Sequence, residues 1–133
     1  VQHCGVADTI GVGTPVKVQR ALDAALQHFG LDDISGHFHD TYGQALSNTL
    51  TSLQMGVWQF DASVAGLGGC PYAKGATGNV STEDVVYLLH GLGIATGIDL
   101  DQLVDAGKYI SDFLERKPNS RVATALLNKR QSD

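Results

Sequence analysis

The feature that most limits how this chain can fold is a repeated order of strand, loop and helix. Three short apolar segments are typical of strands, and each leads through a polar or glycine-rich loop into an amphipathic helix. The predicted strands are residues 1–7, 34–38 and 57–64, and the helices that follow them begin near Thr14, Ala45 and Ser81. Such alternation gives right-handed βαβ units and parallel strands. We therefore predict an α/β fold on a parallel sheet, followed by two further helices.

The two further helices are indicated by their end signals. Asp99 with Gln102 resembles a capping box, which predicts a helix from there to about Glu115. Pro118 ends that helix, and a last short helix is predicted from Ser120 to about residue 128.

The residues with the most chemical potential come directly after the predicted strands. Asp8 follows the first strand, His37 and His39 lie at the end of the second, and a loop with Cys70 and Asn79 follows the third. Sites collect at the carboxyl ends of strands both in open parallel sheets and in (β/α)8 barrels. A histidine pair alone is more often structural. The added amide and carboxylate favour a site for a divalent ion such as magnesium, manganese or zinc.

Two details refine this hypothesis. His37 and His39 are two residues apart, so both imidazoles should project from one face of the strand, and nearby Asp40 is placed to orient one of them. The loop over residues 65–79 contains five glycines, and long loops without secondary structure are usually functional. Cys70 lies between Gly69 and Pro71, where backbone amides can stabilise a thiolate or an enolate. The alternative for Cys70 is a buried filler.

Composition excludes several classes of protein. The net charge of −5 and the pI near 5.3 argue against a nucleic-acid partner. No apolar run approaches the roughly 18 residues that a membrane span needs, and no leader pattern is visible at the start. Two cysteines far apart in sequence, Cys4 and Cys70, favour reduced thiols and a cytosolic location.

The segment from His37 to Asn48, HFHDTYGQALSN, resembles the HxHDxxGxA motif of a superfamily of metal-dependent lyases, aldolases and acyl-CoA condensing enzymes. The loop VAGLGGCPYAKGATGN is similar to the signature of the 3-hydroxy-3-methylglutaryl-CoA lyase family, and the related synthases do not share its Gly-Gly-Cys-Pro element. GVADTIGVGTP and TEDVVYLLHGLGIATGIDL resemble two further segments of that family, so the resemblance runs from about Cys4 to Phe113.

The resemblance implies the C-terminal part of a (β/α)8 TIM barrel. Residues 1–98 would be its last three βα units, and residues 99–133 a C-terminal helical extension. The implied reaction is cleavage of 3-hydroxy-3-methylglutaryl-CoA to acetoacetate and acetyl-CoA with a divalent cation, magnesium or manganese. By resemblance, the metal ligands are His37, His39 and Asn79, and the catalytic residues are Cys70, His37 and Asp8.

The resemblance also implies partners and a location. An acyl-CoA is the expected substrate, the N-terminal barrel half is missing from these residues, and the fragment alone is expected to be inactive. We expect a homo-oligomer in the cytoplasm of a bacterium, or in the mitochondrial matrix of a eukaryote, with no nucleic-acid or membrane partner. The alternatives are an aldolase or condensing enzyme of the same superfamily, and a non-catalytic half-barrel that associates through its open strand edges.

Overall fold

The computed structural model describes residues 2–69 and 78–132. Those residues form three strands, five α-helices and two short 3-10 segments at Leu31–Asp33 and Val64–Gly66. In chain order the strands and α-helices are β1 (Cys4–Asp8), α1 (Pro15–Leu26), β2 (Ile34–Phe38), α2 (Ala45–Gln54), β3 (Gln59–Asp61), α3 (Thr82–Gly91), α4 (Leu100–Phe113) and α5 (Arg121–Ser132). None of these helices has both the length and the apolar character needed to cross a lipid bilayer.

The three strands form one parallel sheet in the order β1-β2-β3, as the alternating pattern predicts. Ala7 pairs with His37, and His37 pairs with Asp61, so the three residues form one row across the sheet. Because the strands are parallel, their carboxyl ends meet at a single edge. That edge carries Asp8, His37 and Asp61.

The contacts divide the described residues into two compact units. The first comprises residues 2–61 with 69, 78 and 79, and the second comprises 62–68 with 80–132. The first unit contains the sheet together with α1 and α2. Its fully or almost fully buried apolar residues include Leu22, Ile34, Phe38, Ala45 and Val57. In the second unit α3, α4 and α5 bury Val85, Val86, Val104 and Ala123. The boundary predicted at residues 98 and 99 stays a prediction.

Most of the helix starts agree with their sequence signals. Pro15 is the first residue of α1 after Thr14, although the Thr14 side chain makes no capping hydrogen bond. The Ser81 hydroxyl accepts from the N–H of Asp84, and the Asp99 carboxylate accepts from the N–H of Gln102. These bonds satisfy N–H groups that a helix leaves without partners in its first turn.

Three elements differ from their predicted bounds. The first strand is Cys4–Asp8 and not residues 1–7, so Asp8 is its last residue. The third strand is Gln59–Asp61 and not residues 57–64, and beyond its end Ser63 donates its N–H to the Val80 carbonyl and forms a bridge with Ser81. The last helix runs to Ser132 and not to residue 128. Near its end the Arg130 guanidinium contacts the Asp105 carboxylate at 2.6 Å, which favours continued helix beyond the predicted stop.

Candidate metal and catalytic site

Two histidines lie side by side at the carboxyl edge of the sheet. The ring centroids of His37 and His39 are 5.5 Å apart, and their planes are inclined by 33°. His39 follows directly after β2, where its backbone forms an antiparallel bridge with Asn79. The structure therefore brings together the three residues that the resemblance gives as metal ligands.

His39 is held as a neutral imidazole. It is 6% exposed, and burial lowers its pKa, an effect to which the neighbouring His37 adds. The charge of Asp8 and a hydrogen bond with the Asn79 side chain oppose this shift without reversing it. Within residues 2–69 and 78–132, the buried Nδ1 of His39 has no hydrogen-bond partner. A neutral imidazole is the form that binds metal, so the lowered pKa is compatible with the predicted ligand role of His39.

Asp8 is tied to the backbone of the loop that follows it. One carboxylate oxygen accepts from the N–H of Gly13 at 2.8 Å, and the other accepts from the N–H of Val12 at 3.2 Å. The Asp8 carbonyl accepts from the N–H of His39 at 3.3 Å. Asp8 therefore shapes the loop after β1 and connects it to the histidine segment.

The loops after β1 and β2 are also interlocked at Gly11. Its φ of +69° lies in the region that favours glycine, and a Cβ added there would stand 2.6 Å from the Thr41 hydroxyl oxygen. The Gly11 carbonyl accepts from the N–H of Tyr42 at 3.3 Å. A glycine is needed here because the two loops approach too closely for any side chain.

The predicted role of Asp40 as the partner of a histidine is wrong. Its carboxylate accepts from the N–H of Ala45 at 3.1 Å and so satisfies a free N–H at the start of α2. The carboxylate that contacts a histidine is that of Asp61, which lies 3.1 Å from His37 Nδ1. Asp40 is the carboxylate nearest to the histidines in the sequence, but the parallel register of β2 and β3 brings Asp61 opposite His37.

Several residues of the HxHDxxGxA segment therefore serve local structure. Gly43 adopts a φ of +72° before α2, and Ala45 is fully buried. Asn48, also fully buried, donates its side-chain amide to the Gly13 carbonyl at 3.1 Å. The Asn48 bond connects α2 to the loop after β1.

The donors on this edge fit a divalent cation in part. Two imidazole nitrogens and an amide oxygen suit a hard or borderline metal ion, and the buried Nδ1 of His39 has no partner among the described residues. Over residues 2–69 and 78–132, no cluster of three His, Cys, Asp or Glu side chains is arranged to hold a metal. The described residues therefore offer an incomplete ligand set. Cys70, the predicted catalytic cysteine, lies outside them.

Known proteins match most of this chain. The family model described as HMGL-like matches residues 1–110. The mitochondrial hydroxymethylglutaryl-CoA lyase of Homo sapiens is 58% identical over 120 residues, which is 90% of this chain and 37% of the relative. The 3-hydroxy-3-isohexenylglutaryl-CoA/hydroxy-methylglutaryl-CoA lyase of Pseudomonas aeruginosa is 56% identical over 124 residues, which is 93% of this chain and 41% of the relative.

Solved structures are similar over the same extent. A crystal structure of hydroxymethylglutaryl-CoA lyase from Pseudomonas aeruginosa has a TM-score of 0.92 at 55% identity, over 96% of this chain and 43% of that one. An HMG-CoA lyase from Acinetobacter baumannii, in complex with coenzyme A and 3-methylmalate, has a TM-score of 0.88 at 38% identity, over 94% of this chain and 41% of that one. The chain thus spans about two fifths of the length of its relatives.

Proposed function

Since the chain belongs to the HMGL-like family, we propose that it supplies the C-terminal part of a hydroxymethylglutaryl-CoA lyase. The complete protein would cleave 3-hydroxy-3-methylglutaryl-CoA to acetoacetate and acetyl-CoA. The observation that carries this proposal is the placement of His37, His39 and Asn79 together at the carboxyl edge of a parallel sheet. Further residues of the site would come from the part of the relatives that this chain does not span.

His37, His39 and Asn79 are the residues that we propose hold a divalent cation, magnesium or manganese. Such an ion, when bound, polarises substrate oxygens and stabilises negative charge that develops on them. The chain prepares this site by keeping His39 neutral and buried. The bond between the Asp8 carbonyl and the His39 N–H fixes the backbone beneath the imidazole.

The reaction requires two proton movements that protein groups must serve. The C2–C3 bond of the substrate breaks, a proton leaves the C3 hydroxyl, and a proton is added to C2 of the acetyl-CoA enolate. Cys70 and His37 are the candidate acids for the last step. The contact of His37 Nδ1 with Asp61 favours a ligand role for His37, which leaves Cys70 as the proton donor.

Asp8 contributes by its charge and by its two backbone hydrogen bonds. Both of its carboxylate oxygens accept from amides of the loop after β1, and its charge acts on His39. We propose that its part in catalysis is to hold this loop and to stabilise positive charge near the histidines.

The partners follow from the same proposal. An acyl-CoA is the substrate, in keeping with the coenzyme A in the Acinetobacter baumannii relative. Among the described strands, β1 and β3 each pair with β2 alone and are therefore the outer strands of the sheet. We propose that the N-terminal barrel half of the complete protein pairs with these two strands, and that the complete protein forms a homo-oligomer. The location we propose is the bacterial cytoplasm, or the mitochondrial matrix if the source is eukaryotic.

A chimera tests the function. Residues 1–133 replace the matched part of the Pseudomonas aeruginosa lyase, and cleavage of hydroxymethylglutaryl-CoA is followed by acetoacetate formation with manganese in excess. We expect the chimera to cleave this substrate and the isolated 133-residue chain to give no product. A chimera with the far-ultraviolet circular dichroism of the parent lyase but no cleavage would contradict the proposal. Turnover of an aldol substrate in place of the thioester would indicate another activity of the superfamily.

A further inference from the structure

Asp61 stands directly opposite His37 in the sheet. The two residues pair in the parallel register of β2 and β3, so their side chains leave the same face of the sheet. Asp61 Oδ2 lies 3.1 Å from His37 Nδ1. Their side chains are 65% and 37% exposed, so the contact depends on the register of the strands and not on tight packing.

This contact specifies which nitrogen of His37 carries the proton. An ionised carboxylate can only accept hydrogen bonds, so Nδ1 is the nitrogen that donates. A neutral imidazole protonated at Nδ1 presents an unprotonated Nε2. A carboxylate that accepts from a histidine in this way fixes both the tautomer and the ring orientation, and raises the basicity of the other nitrogen.

His37 and His39 differ in this respect. The Nδ1 of His39 is buried without a partner in the part of the chain that the structure describes, whereas that of His37 is bonded to Asp61. The carboxylate nearest in sequence, Asp40, is engaged at the start of α2. Within the described part of the chain, Asp61 is therefore the carboxylate that sets the orientation of a histidine at this edge.

We propose that Asp61 is a positioning residue that holds His37 in its Nδ1-protonated form and directs Nε2 to the cation. The inference rests on the proposed function only for the identity of the cation site. The orientation of His37 follows from the contact itself. In this role Asp61 acts through His37 and does not touch the substrate.

The test uses the chimera with three substitutions. Asp61→Leu removes the acceptor, and Asp61→Asn keeps an oxygen that can accept but no longer requires the proton on Nδ1. Asp23→Asn, at an exposed position on α1, makes the same change of charge away from the site. The first readout is the nitrogen chemical shifts of ¹⁵N-labelled histidine at pH 8 without metal, with a His37→Gln variant to assign the signals. The second is Mn²⁺ affinity measured by electron paramagnetic resonance.

We expect His37 to show the nitrogen shifts of the Nδ1-protonated imidazole in the parent chimera and in Asp23→Asn. The population of this tautomer should fall in Asp61→Asn and should no longer be favoured in Asp61→Leu. Mn²⁺ affinity should fall in the same order, by roughly 10- to 100-fold for Asp61→Leu. An unchanged tautomer, or an unchanged Mn²⁺ affinity, in Asp61→Leu overturns the inference. If the substitutions act as expected but the chimera does not cleave hydroxymethylglutaryl-CoA, the proposed function fails and the role of Asp61 stands.

Discussion

The buried carboxylate of Glu83 allows a sharp prediction for the second unit. Glu83 is fully buried near the start of α3, and both of its oxygens lie 3.0 Å from the N–H of Ala65. Ala65 has a φ of +56°, a strained value for alanine that this bond stabilises. Gly107 of α4 makes room for the carboxylate, because a Cβ there would be 2.7 Å from Glu83 Oε2. The perturbations are Glu83→Ala and Glu83→Gln.

The two substitutions should differ strongly in cost. Glu83→Ala leaves the buried N–H of Ala65 without an acceptor, which costs about 1–3 kcal/mol, and opens a cavity that adds about 2 kcal/mol or more. We therefore expect the free energy of unfolding to fall by about 3–5 kcal/mol. Glu83→Gln keeps an acceptor of the same shape and removes a buried charge. Its free energy of unfolding should stay within about 1 kcal/mol of the parent at pH 7.

The free energy of unfolding should also depend on pH through Glu83. Burial raises the pKa of Glu83 above its ordinary value of 4.5, and the Ala65 N–H only partly opposes this. As pH rises above 4.5 the unfolded chain loses this proton first, so the folded state binds more protons and the free energy of unfolding decreases. The decrease continues up to the raised pKa and then levels off. Glu83→Gln should abolish this decrease, so its free energy of unfolding should rise relative to that of the parent as pH increases.

Urea denaturation of the chimera between pH 4.5 and 8 measures these quantities. Glu115→Gln, the same change at an exposed glutamate, is the matched control and should leave the slope unchanged. Equal losses for Glu83→Gln and Glu83→Ala would show that the acceptor for the Ala65 N–H does not matter. The same pH dependence in Glu83→Gln as in the parent would show that the buried charge of Glu83 does not contribute to it.

Two further predictions concern the glycine-rich segments. Gly11→Ala should lower the free energy of unfolding by about 1–3 kcal/mol in urea denaturation, because the new Cβ meets Thr41 at a positive φ. Gly91 lies in α3, and nothing stands within 4 Å of a Cβ added there. Gly91→Ala should therefore raise the free energy of unfolding by up to about 1 kcal/mol. A lower free energy of unfolding in both variants would contradict this explanation. Cys70→Ser should leave the melting temperature unchanged and reduce turnover by at least about 100-fold. A lowered melting temperature with turnover retained would make Cys70 a packing residue.

Local signals in the sequence predicted most of the fold. The strand Ile34–Phe38 has its predicted bounds, and α3 and α4 begin after Ser81 and Asp99 as their capping signals indicate. These features depend on residues within one helical turn or one strand. The parallel order of the sheet also follows from the chain, because each helix between strands forces a crossover.

Features that depend on distant residues were not predictable in the same way. Asp61 is 24 residues from His37, and only the strand register shows that they meet. An acidic residue in the first turn of a helix, such as Glu83, favours the helix dipole, but no local signal shows that the structure buries it against Ala65 and beside Gly107. In both cases the sequence gives the residue type, and the three-dimensional contact decides its role.

We propose above that His37 and His39 bind the cation of a lyase site. The most direct measurement is the electron spin echo envelope modulation spectrum of the chimera loaded with one equivalent of Mn²⁺. We expect modulation from coordinated imidazole nitrogen, which weakens in His39→Gln and disappears when His37→Gln is added. A spectrum of the parent chimera without imidazole nitrogen, while the protein still binds Mn²⁺, would place the cation away from these histidines.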